Sequence, residues 1–121
     1  MKYFIPILVF LLLVSCKNND DDAGPISCTE IFVFGLTVQV RDINTGDFIL
    51  NNIIVTATDG SYAEELAFSN DRFFGAGERP GDYTLTVVAD GYMTLITPVI
   101  EVSADECHVI NESIDLVLDP L

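Results

Sequence analysis

One histidine, three cysteines and 19 acidic side chains are the groups in this 121-residue chain that can hold a metal, bond a sulfur or move a proton. Nucleophilic catalysis by a serine or cysteine would need His108 as its base, because no second imidazole exists to orient or replace it. His108 adjoins Cys107 at the start of a strand, a position that suits a structural or solvated ring. Zinc lacks ligands for the same reason. The acids offer Glu64-Glu65 and Asp105-Glu106, but neighbours on a strand point to opposite faces, so adjacency builds no acid/base pair. Asp42, Asn44 and Asp47 place hard oxygens close enough for a calcium loop, without the glycine and terminal glutamate of an EF-hand. Tyr62, Phe68, Phe73 and Phe74 are candidates for a sugar- or peptide-binding surface. Against that, Phe73 and Phe74 would close the core while Tyr83 and Tyr92 pack at strand ends, and no tryptophan is present for a sugar to stack on. No catalytic residue, cofactor or metal is expected, and the chain is not read as an enzyme.

The elements that must position these residues are strands. Within Gly81–Tyr92, the run Asp82–Ala89 alternates: Tyr83, Leu85, Val87 and Ala89 fall on one face and Thr84, Thr86 and Asp90 on the other, with Val88 the apolar exception. Ile31–Arg41 opens on an apolar patch and passes into alternation, with Leu36, Val38 and Val40 inward. A turn over Asp42–Asp47 leads to a second strand at 53–58, ended by Asp59-Gly60, a strong hairpin signal. Residues 62–68 suit a short helix by propensity, but their length between strands predicts a strand. Phe73-Phe74 forms a brief piece that Gly75-Ala76-Gly77 should break. Pro98 divides an extended arm over 93–102 and places it at a sheet edge or bulge. The last strand, over 108–118, alternates Ile114, Leu116 and Leu118 with polar residues.

Acids outnumber bases 19 to 5, giving a formal charge of −14. With so few cations to displace counterions from phosphates, nucleic acid is excluded as a partner. Polybasic attraction to anionic lipid is excluded likewise. At 121 residues the chain supports one domain.

Lys2 followed by the apolar run Phe4–Val14 has the length of a signal-peptide core, not of a membrane span, which takes about 20 residues. Its end, Leu13-Val14-Ser15-Cys16, resembles the bacterial lipoprotein box. The resemblance implies cleavage after Ser15 and a lipid anchor on Cys16, so that acyl chains hold the mature protein on a membrane. Lys17 and then Asp20-Asp21-Asp22 resemble the surface-export signal of lipoproteins in the Bacteroidetes group, which implies an outer-membrane protein facing outward. The polar run 16–27 is expected to be a disordered tether. With Cys16 lipidated in an oxidising compartment, Cys28 and Cys107 remain as a pair, and a disulfide between them would tie the start of the domain to its end.

The order Val38-Gln39-Val40-Arg41-Asp42, Thr45-Gly46, Gly81-Asp82-Tyr83-Thr84-Leu85-Thr86-Val87, Gly91-Tyr92 and Val117-Leu118-Asp119-Pro120 resembles the carboxypeptidase regulatory-like domain. That resemblance covers 31–120 and implies an all-β, seven-stranded Greek-key sandwich of transthyretin-like type, usually with an accessory or binding role. The transthyretin-like fold also includes hydroxyisourate hydrolases, whose several histidines and C-terminal motif are absent here. The expected organisation is a signal peptide over 1–15, a tether over 16–27 and the sandwich over 28–121. The expected function is a non-enzymatic, lipid-anchored interaction module with a protein or glycan partner, or else a structural spacer.

Overall fold

The computed structural model describes residues 27–121. The expected signal peptide, the lipid-bearing Cys16 and the tether as far as residue 26 lie outside the described residues. Those described form nine strands and no helix: β1 (Phe34–Asp42), β2 (Ile53–Asp59), β3 (Tyr62–Glu65), β4 (Ala67–Ser69), β5 (Arg72–Gly77), β6 (Gly81–Ala89), β7 (Leu95–Ile96), β8 (Ile100–Val102) and β9 (Glu112–Leu118). Sheet A has the order β4-β5-β1-β9, and sheet B the order β3-β2-β6-β7, with β8 also on β6. The chain passes from sheet to sheet between β1 and β2, β3 and β4, β5 and β6, and β8 and β9. Every strand pair is antiparallel except β1 with β9, which run in parallel from Leu36↔Glu112 to Asp42↔Leu118.

The two sheets share one core. Leu36, Val38 and Val40 of β1 meet Tyr83, Leu85 and Val87 of β6, together with Val55, Phe73 and Leu118. These side chains are essentially sealed from water, and burying each aliphatic one favours folding by roughly 1.5–3 kcal/mol before the cost of ordering the chain. The period-two pattern holds in β6 down to its exception, because Val88 is about half exposed. Tyr83 is wholly buried, yet its hydroxyl is satisfied. It donates to the Arg79 carbonyl (2.8 Å) and accepts from Arg79 Nη1 (2.9 Å), as a buried phenol must. The same guanidinium bonds Asp59 Oδ2 (3.1 Å) and lies 3.7 Å over the Tyr62 ring, so one arginine fastens the β5–β6 link to the β2–β3 hairpin.

Nine strands form where seven are predicted, because two predicted runs divide. Residues 62–68 are extended, not helical. Tyr62–Glu65 pairs with β2, Leu66 turns into the core with its N–H on Val55 O (2.8 Å), and the chain then joins sheet A through β4 and β5. The arm divides at Thr97-Pro98, since proline has no N–H to give a ladder. Thr97 supplies both bonds there: its N–H meets Leu85 O (2.9 Å) and its hydroxyl accepts from Leu85 N (3.0 Å). The predicted break at Gly75-Ala76-Gly77 does not occur. β5 runs to Gly77, paired as Leu36↔Gly75 and Phe34↔Gly77. A side chain at Gly75 would collide with buried Leu66, and one at Gly77 with the Phe32 ring, so these glycines make room in a strand instead of ending it.

Candidate functional site

The single histidine sits at one end of the two sheets, in a group assembled from three distant stretches. His108 Nδ1 lies 2.6 Å from Glu78 Oε2, and its Nε2 lies 3.2 Å from Thr29 Oγ1 and 3.1 Å from Thr29 O. Hydroxyl, imidazole and carboxylate in that order have the sequence of a hydrolase relay. Their other bonds tie them into the framework. Glu78 Oε2 also accepts from Val33 N (3.0 Å) and Oε1 from Val109 N (3.2 Å), while Cys28, beside Thr29, is bonded through sulfur to Cys107, with a Cα–Cα distance of 5.3 Å. Asp105 Oδ1 accepts from Cys107 N (2.8 Å) and His108 N (2.9 Å). The arrangement clamps the incoming segment 28–33 onto the β8–β9 loop. Partial burial pushes the Glu78 carboxyl up, but the His108 bond and the Val33 and Val109 N–H donors outweigh it and leave the group below the usual carboxylate range. Asp105 is lowered by the His108 and Cys107 N–H donors. Glu78 has φ 48° and Ala76 φ 54°, left-handed values that a side chain adopts at a cost. Bonds to the Glu64 and Glu78 carboxylates hold that bend in place.

At the opposite end of β1, the turn weighed as a calcium loop has its Asp42 carboxylate already engaged. Asp42 Oδ1 accepts from Asn44 N (2.7 Å) and Thr45 N (3.1 Å), and Oδ2 accepts the Tyr92 hydroxyl at 2.6 Å. The turn is an Asx cap with a phenol attached. The Tyr92 bond, then the Thr45 and Asn44 donors, pull Asp42 below its usual value, and the same bond raises Tyr92. Among the described residues, no three His, Cys, Asp or Glu side chains gather to hold a metal ion.

The four aromatic candidates separate. Phe73 is buried, Phe68 lies over it (5.1 Å between centroids) while remaining 46% exposed, and Tyr62 is held by Arg79. Phe74 does not close the core, contrary to the expectation, because it alternates with Phe73 and so stands on the outer face of sheet A. There it is 5.3 Å from Phe34, which is itself 5.1 Å from the exposed Phe32.

Strand register turns that outer face into a grid. One row reads Ala67, Phe74, Thr37, Ser113, and the next begins Ser69, Arg72 and ends Gln39, Asp115. A depression of about 120 Å³ lies between them, lined by Thr37, Gln39, Arg72, Ser113, Ile114 and Asp115. Its hydroxyls are pre-set. Asn111 Nδ2 donates to Thr37 Oγ1 (2.8 Å) and to Phe34 O (2.8 Å), while Ser113 Oγ donates to Asn111 Oδ1 (3.0 Å). Thr37 therefore keeps its proton to offer outward, and Ser113 keeps its lone pairs. Arg41 completes the edge, bonded to Asp115 Oδ1 (3.3 Å) and stacked 4.3 Å over Phe48. Sequence reasoning missed Thr37, Gln39, Arg72, Ser113 and Asp115, whose only signal was their place as the outward members of alternating strands. By contrast, the outer face of sheet B carries paired threonines, Thr56↔Thr86 and Thr58↔Thr84, beside the exposed pair Ile54↔Val88. No family model and no curated protein matches the chain.

Proposed function

We propose that this chain is a non-enzymatic interaction module, anchored by a lipid on Cys16 to the outer membrane and facing outward, that binds a protein or glycan partner. The observation that carries the proposal is the outer face of sheet A, where the Thr37 and Ser113 hydroxyls are set by Asn111 beside Gln39, Arg72 and Asp115, with the Phe74 ring in the adjoining row. The non-enzymatic part draws on His108, whose two ring nitrogens are both engaged by framework groups. A transthyretin-like Greek-key fold is supported by the shared core of the two sheets and by the chain's repeated passage between them. The test is protease shaving of intact cells, with mass spectrometry of the released domain and of the Cys16 peptide. Release of the domain together with a lipidated Cys16 peptide is the expected result. Protection of a lipidated chain would move it to the periplasmic side, and an unmodified Cys16 would end the anchor reading.

A spacer or envelope-assembly role is the second reading, and one observation favours it. The segment 28–33 is fastened at the start of β1, while Leu118–Leu121 is fastened at its far end through Ile43, Met93 and Gly91. Such a domain can be strung between neighbours on opposite sides.

A further inference from the structure

We infer that the depression on the outer face of sheet A is a subsite for a neutral saccharide chain, with Phe74 stacking on a sugar ring and Arg72, Gln39, Thr37, Ser113 and Asp115 bonding its hydroxyls. The inference rests on the interaction-module reading and names the partner class. A sugar presents vicinal hydroxyls, each a donor and an acceptor, on a ring whose C–H faces are apolar. The groove offers the complement. Arg72 and the free Thr37 proton donate, Asp115 and the Ser113 lone pairs accept, Gln39 does both, and Phe74 stands in the next row as an apolar plate. From β5 to β9 the row containing Arg72, Gln39 and Asp115 crosses two strand spacings, about 10 Å, so the groups address more than one ring.

Charge selects a neutral ligand. Arg72 and Asp115 carry opposite charges within the groove, so an ion of either sign meets one repulsive partner there. At longer range, a chain at −14 repels polyanions. The two hydroxyls are also held before any ligand arrives, with Asn111 fixing Thr37 and Ser113, while Asp115 pairs with Arg41 and Arg72 with Asp71 at the surface. Little ordering cost falls on those two hydroxyls, whereas the longer Arg72 and Gln39 side chains must be ordered by the ligand, which suits a shallow site of modest affinity.

The test titrates the full chain in detergent micelles with neutral hexasaccharides built from α- and β-linked glucose, mannose, galactose and xylose, following backbone and side-chain resonances by NMR. Shifts centred on Thr37, Gln39, Arg72, Phe74, Ser113 and Asp115 are expected from at least one sugar. Arg72→Ala and Phe74→Ala should each weaken binding about tenfold. Gln39→Ala, an outward position that touches no core, keeps the test valid if Phe74→Ala disturbs the Phe34 stack. No shift on this face at about 10 mM, where even millimolar affinity saturates, overturns the inference. So does a shift that these variants leave unchanged. A photo-crosslinking residue introduced at Gln39 in intact cells separates the two readings. Crosslinks to glycan support the inference, and crosslinks to polypeptide overturn it while the module reading survives. If neither crosslink nor shift appears, both fall.

Discussion

β1 ends in a carboxylate clamp at each side, and the two clamps differ in what they bond. At the start of β1, Glu78 receives two backbone N–H groups and an imidazole, and the Cys28–Cys107 bond lies next to it. At the finish, Asp42 receives two N–H groups of its own turn and one phenol. Fixed N–H donors cannot reverse their role, whereas a phenol rotates and can accept as readily as it donates. The first end is therefore closed by groups that demand a carboxylate, and the second by groups that tolerate its replacement.

The largest test of that contrast is covalent. Replacing Cys28 and Cys107 by alanine frees a loop with a sequence separation of 79 residues, for which chain entropy assigns a loss of about 4.5 kcal/mol in denaturant unfolding. The second end has no counterpart to lose. A loss near zero would mean that the first end is held by Glu78 and packing alone, and non-reducing mass spectrometry showing two free thiols would remove the bond from the account altogether.

Next in size, Glu78→Gln turns an amide NH₂ toward Val33 N–H or Val109 N–H, leaving one donor facing another. A drop of several degrees in melting temperature is expected. Asp42→Asn should cost distinctly less, because Oδ1 keeps both turn N–H groups while Nδ2 donates to a rotated Tyr92 hydroxyl. Equal losses at the two sites would break the comparison.

The smallest effects are in pH. Both carboxyls are lowered on folding from ordinary values of 4.5 for Glu78 and 3.8 for Asp42. Their stabilisation is complete above those values and is lost as pH falls through the lower folded ones, so each end weakens in acid. Tyr92 is raised from 10.0, which reverses the sign. Its contribution is complete below 10.0 and is lost only as pH rises through the higher folded value, giving the second end an alkaline limit as well. Tyr92→Phe should make the alkaline limb of a stability–pH curve shallower, leaving the part due to Tyr62, which burial and its Glu64 bond also raise, and leaving the acid fall at Glu78 unchanged.

Much of this fold was legible because strand alternation is a local property. The inward residues of β1 and β6 follow from period two alone, while the turn at Asp42–Asp47 and the hairpin at Asp59-Gly60 follow from their Asp, Asn and Gly residues. Errors came where a distant neighbour decides. Gly75-Ala76-Gly77 looks like a break until β1 pairs with it and Leu66 and Phe32 pack against it. Phe74 reads as core beside Phe73 until the pleat sends it outward. The Asp42–Asp47 turn was legible as a turn, but its tie to Tyr92, 50 residues on, through one carboxylate oxygen of Asp42 was not.

The sequence by itself determined the all-β class, the inward face of the long strands and the net acidity of the chain, since these follow from residue type and period. Only the tertiary structure decided which strands become neighbours. The parallel pairing of β1 with β9 sets Thr37 beside Ser113 and Gln39 beside Asp115, and the antiparallel pairing with β5 adds Phe74 and Arg72. A period-two pattern says which face a side chain takes but not whose side chain stands next to it, and a groove is made of neighbours.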